Sequence, residues 1–450
     1  MIKRIAAALL LAVLAAAAAG CRSDPESPPA AAPAAGTGDP MRITLTDSWL
    51  PTSTAAVDVV HRELVDQFRR EHPGLELAED VLDNNALKQK IKTLAAGNAL
   101  PDVFMVLGSD ARMLLGNGLI QPVDGVLAAD PSWSGGFRPE AFDDFTFDGR
   151  RAAVPMQITA TSLVFYNSAM FREAGYERFP DSWEELLQAL EKLKKLGYTP
   201  ISFGNRDAWV AGSCLFSTLA ERYVGEAWMN DAVAGTAKYS DAPFVEALRA
   251  VRSLADKGLL NADRGTLDNV QQRELYYQGK AAVVLEGGWA VSSFAADAPP
   301  HVAAQTRLAL LPAPAAAPDG QEGGGLTVSG GSGWGIAFKA GLSGERLESA
   351  LELVKLLTGS EQANRAAERG DLSGSHPTDY NEGASTPLFR EYLSLMRQVR
   401  LTPVFDVRLP AGVTEAMYDG IQELLRTDSE LTPEALAARI QSAAEADAGG

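Results

Sequence analysis

Tryptophans and short polar side chains recur together in this chain. Asp47 stands two residues before Trp49, Asp207 two before Trp209, and Glu286 three before Trp289, while Trp334 sits inside the run SGGSGWG. Asp110, Gln157 and Thr159 add further side chains of the same kind. An indole offers a flat apolar face, and a carboxylate, amide or hydroxyl makes hydrogen bonds in fixed directions. Such a set suits recognition of a molecule with C–H faces and hydroxyl edges.

Chemistry that breaks bonds finds fewer candidates. Asp143-Asp144 is the obvious acidic pair, but neighbours on an extended segment point oppositely, and the pair reads as a solvated loop rather than the two carboxylates of a glycosidase. His61, His72, His301 and His376 are the only histidines, and none belongs to HExxH or another close pair, so no metal site is expected. There is no GxSxG elbow, GxxxxGK loop or CxxC, and SGGSGWG lacks the third glycine of a dinucleotide fingerprint. The expectation is no catalytic residue and no cofactor.

The elements that would position these residues alternate strand and helix. MRITLTDSW (41–49) reads as a strand, and the following helix carries Val57, Val60, Leu64 and Phe68 on one face until Pro73-Gly74. A strand at 75–81, a helix at 86–99 and a strand at 102–107 complete a unit whose order implies a parallel sheet. Ligands of such sheets sit beyond the carboxyl ends of the strands, where Trp49 and Asp110 fall. A second α/β unit starts at 152–167. Its clearest helix is DSWEELLQALEKLKKLG, with Ser182 and Glu185 as a capping box and Gly197 as the stop. Helices near 213–224 and 243–257, a strand from Ala281 to Leu285, a loop at 312–325 and a strand start at 329–338 follow, with a last helix capped by Thr432.

The 450 residues exceed what one hydrophobic core accommodates, so two lobes are expected. Forty basic against 58 acidic residues leave a charge of −18 without a Lys/Arg block, which argues against nucleic acid as a partner. At the N-terminus, Lys3 and Arg4 precede the uncharged run Ile5 to Ala19, too short to span a bilayer but fit for a secretory signal. Ala18-Ala19-Gly20-Cys21 resembles the bacterial lipobox, with Ala18 where leucine is usual, which implies acylation of Cys21; an ordinary signal peptide cut nearby, with Cys21 incidental, is the alternative. Residues 22–40, rich in Pro, Ala and Gly, read as a tether. Cys214 is then a lone thiol.

Four segments carry a wider resemblance. They are FYNSAMFREAGYERFPDSWEELLQALEKLKKLGYTPI, LPDVFMVLGSDARMLLGNGLIQPVD, YYQGKAAVVLEGGWAV and SGGSGWGIAFKAGLSGERLESALELVKLLTGSEQ. Their order and spacing resemble bacterial extracellular solute-binding proteins, the maltose-binding-like group that serves ABC importers. Ser168 departs from the lysine that commonly follows Tyr-Asn, and GDLSGSHPTD matches the family's return segment only loosely.

The resemblance implies a periplasmic-binding-protein-like α/β fold: two discontinuous lobes, a hinge and an interlobe ligand cleft. Residues 1–20 would be the signal peptide and 21–40 the lipidated cysteine and tether. Residues 41–157 with 326–374 would form one lobe, and 158–325 with 375–450 the other. It also implies a sugar-stacking role for Trp289, a carboxylate and platform at Asp207 and Trp209, and a carboxylate at Asp110. The alternatives are a core ring for Trp289, a helix cap and a packed ring at 207–209, and an N-cap role for Asp110. Trp49, Gln157, Thr159 and Trp334 complete the expected ligand set, Trp334 having a core position as its alternative. The implied function is capture of a carbohydrate outside the cytoplasmic membrane by a lipid-anchored monomer, and its delivery to ABC permease subunits. Ligand sensing, or binding of a polyamine or sugar phosphate, are the alternatives, and a secreted glycosidase is disfavoured.

Overall fold

The computed structural model describes residues 41–314 and 326–448. The signal segment, Cys21, the tether and most of the 312–325 loop lie outside the described residues. Two sheets organise the rest. The first runs Leu75–Val81, Met41–Asp47, Val103–Leu107, Trp334–Phe338, Val154–Pro155. Its first three strands are parallel, as the strand–helix alternation requires, and Trp334–Phe338 enters antiparallel to both neighbours. Helix Ala56–Glu71 covers it with Val60, Leu64 and Phe68 buried. Asp83 caps the next helix, Asn84–Ala96, by accepting from the N–H groups of Asn85 and Ala86.

The second sheet runs Thr306–Leu310, Leu163–Asn167, Ala281–Glu286, Thr199–Ser202. A separate hydrophobic core lies on each of its sides, one around Phe216, Leu248 and Leu285, the other around Phe165, Phe294 and Tyr392. The first sheet has its own core, from Ile43 to Met156 and from Ile336 to Leu357. Ser182 caps helix Trp183–Lys195 through the Glu185 N–H, but Glu185 turns its carboxylate to the Asp181 N–H, so only half of the expected box forms.

The run expected as one strand start at 329–338 divides between two sheets. Leu326–Gly331 pairs with Val399–Thr402 and with Thr159–Ala160, whereas Trp334–Phe338 belongs to the first sheet. Ser332 and Gly333 make the passage, and Gly333 adopts φ 63°, a left-handed conformation that glycine takes without strain. Gln157 bridges to Ser373 and reaches the Ser332 carbonyl, so three stretches of chain run together at this crossing between sheets.

Candidate functional site

Strand Ala281–Glu286 ends in a buried carboxylate followed by Gly287-Gly288-Trp289. The two glycines make room. A Cβ on Gly287 would lie 2.2 Å from the Trp289 ring, and one on Gly288 would lie 2.1 Å from the Tyr392 hydroxyl and 2.5 Å from Thr159 Oγ1. The indole therefore folds back, and its Nε1–H donates to Glu286 Oε2 at 2.8 Å. Glu286 also accepts from Gln272 Nε2 at 3.1 Å and from Arg273 at 3.3 Å. Burial raises the Glu286 pKa, and Arg273 opposes the rise.

Trp209 closes on this ring from another element. Its centroid lies 5.9 Å from that of Trp289 at an interplanar angle of 59°, and both indoles are half-buried. Ala208 before it has φ 63°, and the buried Asn205 accepts from the Ala211 N–H at 2.9 Å, so the turn carrying Trp209 is fixed from within. Asp207 faces Arg206, its carboxylate 3.2 Å from the guanidinium. The structure thus brings Trp209, Trp289, Asp207 and, through Gly288, Thr159 to one end of the second lobe. Thr159 is buried, its hydroxyl 3.2 Å from the Tyr392 hydroxyl.

On the first lobe, Trp49 is enclosed rather than open. It is 1 % exposed and stacks on His61 at 4.5 Å and 12°. Its N–H at Nε1 has no partner, and its backbone N–H donates to Asp47 Oδ1 at 3.0 Å. Burial, with Glu79 and Asp58 nearby, pushes Asp47 up to about 8. His61 approaches two carbonyls, those of Val57 at 2.6 Å and Leu357 at 3.1 Å, yet burial lowers its pKa to about 4. Asp58, in the first turn of helix Ala56–Glu71, is raised by burial to about 6 and is attracted by Arg62 and by Arg273 of the opposite lobe.

The remaining expected residues lie along the crossing. Gln157 Nε2 donates to the Ser332 carbonyl at 3.4 Å. Asp110 sits in the first turn of helix Gly108–Gly116 without capping it, 7 % exposed and 3.7 Å from Lys92. Trp334 is half-buried against Leu107 of the first lobe and Val404 and Val407 of the second.

Asp143-Asp144 corrects the expectation of a solvated loop. The segment Pro139–Phe145 is a 3-10 helix that turns Asp144 inward to 1 % exposure. Its carboxylate accepts from Arg408 Nε at 2.8 Å and from the Gly333 N–H at 2.9 Å, so it ties one lobe to the other at the crossing. Arg273, Asp58, Tyr392 and Arg408 went unselected by sequence reasoning. All four fall outside the four segments that carried the family resemblance.

Among the described residues, no group of three or more His, Cys, Asp and Glu is placed to hold a metal, and no helix is long and apolar enough to cross a membrane. Cys214 is free and buried, and burial raises its thiol pKa. An open groove of about 720 Å³ on the first lobe is lined by Arg42, Lys90, Lys339 and Arg346 and by none of the tryptophans. Its cations are engaged: Lys339 and Arg346 with Asp102, Lys90 with Asp80 and Arg42 with Glu76.

Comparison with known proteins places this geometry. The family model described as bacterial extracellular solute-binding protein matches residues 57–364. A binding protein of Brucella abortus is 23 % identical over 270 residues, 60 % of this chain and 63 % of its own, so the match spans less than two thirds of that relative. A solved chitin oligosaccharide binding protein superposes with a TM-score of 0.80 at 22 % identity, over 92 % of this chain and 100 % of its own. Maltose-bound T. maritima MalE3 gives 0.72 at 20 % identity, over 90 % and 99 %. Fold and sequence agree that this chain belongs to the bacterial extracellular solute-binding protein family.

Proposed function

We propose that the protein captures a carbohydrate between its two lobes and hands it, unaltered, to the permease of an ABC importer. The observation that carries this reading is the tryptophan pair: two half-buried indoles 5.9 Å apart at the end of the second lobe, one of them held by a buried carboxylate. Indole faces match the C–H patches of sugar rings, and carboxylates match hydroxyls through charge-assisted bonds. The family membership supports solute capture, and the chitin-oligosaccharide and maltose binders among its structural neighbours support a sugar. Asp207, Thr159 and Gln157 would supply polar contacts, and Asp110, Trp49 and Trp334 would back the opposite wall. Micromolar affinity needs about 8 kcal/mol, and a disaccharide of about two dozen heavy atoms supplies roughly 7 at about 0.3 per atom.

The protein acts outside the cytoplasm as a monomer on a lipid anchor at Cys21, and it is not an enzyme. Each buried methylene of such an anchor contributes about 0.8 kcal/mol, and two or more chains hold stably. A second reading, a cationic solute such as a polyamine, draws support from Asp58, whose charge acts on both Asp47 and Asp371. A thermal-shift panel of mono- and oligosaccharides, sugar phosphates and polyamines decides between them. Ligand at 100 times its Kd stabilises by about 2.7 kcal/mol. A response to polyamines alone would overturn the sugar reading, and recovery of altered sugar after long incubation would overturn the binding reading.

A further inference from the structure

Ser292 occupies a junction that neither the fold nor a simple stacking site requires. Its hydroxyl donates to the carbonyl oxygen of Trp289 at 3.2 Å and accepts from the backbone N–H of Ala56 at 2.9 Å. Ser292 belongs to helix Ala290–Asp297 of the second lobe, and Ala56 opens helix Ala56–Glu71 of the first. The same two segments meet once more at the surface, where Thr54 Oγ1 donates to Asp297 Oδ2 at 2.6 Å.

The first N–H groups of a helix have no partner within it, and a side chain of the preceding residue normally supplies one. Here that residue is Ala55, which offers no acceptor. The buried Ala56 N–H takes its acceptor from across the cleft, so the first lobe's helix is completed by the second lobe.

Trp289 is therefore held at both ends. Its indole nitrogen is fixed by Glu286, which Arg273 grips, and Arg273 attracts Asp58 of the first lobe. Its carbonyl is fixed by Ser292, whose other bond goes to Ala56. Both restraints end on one turn of the opposite lobe, residues 54–58.

We propose that Ser292 is a positioning residue that couples the meeting of the lobes to the setting of the Trp289 ring. The bond from Ala56 exists only while the lobes touch, and it orients the Ser292 hydroxyl so that its single hydrogen points to Trp289. The platform is thereby fixed as the solute is enclosed. This inference rests on Trp289 being the ligand platform, as proposed above.

The test uses protein labelled with 5-fluorotryptophan, in which Trp289→Phe assigns the Trp289 fluorine resonance. Ser292→Ala removes both bonds without adding bulk, and Ser292→Thr restores the hydroxyl. The Trp289 resonance is expected to move or broaden in Ser292→Ala and to return in Ser292→Thr, while those of Trp183 and Trp228 stay in place. With maltotriose and chitotriose as probes, the Kd of whichever binds should rise about tenfold in Ser292→Ala while the melting temperature of the empty protein is kept. An unmoved Trp289 resonance in Ser292→Ala, or a moved one with the Kd unchanged, overturns the coupling and leaves sugar binding standing. A moved resonance in a protein whose wild type binds no sugar of the wider panel overturns the sugar reading and leaves the coupling.

Discussion

Asp371→Asn should make the protein more stable, and increasingly so as the pH rises from about 4 to 7. Asp371 is 2 % exposed, and one carboxylate oxygen accepts from the Leu372 N–H at 2.8 Å. Burial, with the Asp58 charge adding to it, raises its pKa from 3.8 to about 7, against the pull of the Leu372 and Val57 N–H groups. The folded state thus binds the proton more tightly than the unfolded one. Below pH 4 both states are protonated and the residue costs nothing. Between about 4 and 7 the unfolded carboxyl ionises while the folded one stays neutral, so stability falls with pH; above 7 the loss is constant. Each unit corresponds to about 1.36 kcal/mol, which puts the full loss at about 2–4 kcal/mol once relaxation of the site is allowed for. Asparagine matches the neutral acid in shape and cannot ionise. Urea midpoints of variant and wild type should coincide near pH 4 and diverge steadily to pH 7.5. A difference that is the same at every pH would refute the reasoning, because it would show that Asp371 does not titrate between the two states.

Trp289→Ala should weaken sugar binding at least about tenfold by calorimetry, and Trp289→Phe, which keeps a ring but not the N–H, should lose less. Because the indole bonds to Glu286, the alanine variant should also cost the empty protein about 1–3 kcal/mol; a larger loss with unchanged affinity would make the ring structural. Asp144→Ala leaves Arg408 unpaired and the Gly333 N–H without its acceptor, and should lower stability by about 2–4 kcal/mol in denaturant melts; no loss would remove that carboxylate from the crossing. Gly288→Ala drives a methyl into Tyr392 and Thr159, and should cost about 1–3 kcal/mol together with a displaced Trp289 fluorescence maximum.

The architecture was legible where periodicity is local. Val60, Leu64 and Phe68 recur at helical spacing and are buried as that spacing requires, and Gly197 ends its helix at φ 93°. The division at Ser332-Gly333 was not legible, because the apolar pattern runs on through the glycines and nothing in it marks a change of sheet. Asp144 was misread because two adjacent acids look solvated unless one has a partner, and Arg408 stands 264 residues away. Among the site residues, Glu286 and Trp289 could be grouped from their spacing, but the approach of Trp209 depends on the parallel pairing of Thr199–Ser202 with Ala281–Glu286, which the sequence leaves open. Whether Trp49 shows a face to a ligand depends on what His61 does twelve residues on. Its ring takes one side of the indole.

The passage through Ser332 and Gly333 has a mechanical consequence. Two residues joining strands of different sheets leave only a handful of backbone torsions to absorb any swing of one body against the other along this stretch. Rotation at so short an axle is magnified with distance, as along a lever, so a slight turn there would act on contacts made elsewhere between the two bodies, such as that of Thr54 with Asp297. Asp144 grips that axle by the Gly333 N–H and holds Arg408 with its other oxygen, so any turn there must carry or break both bonds.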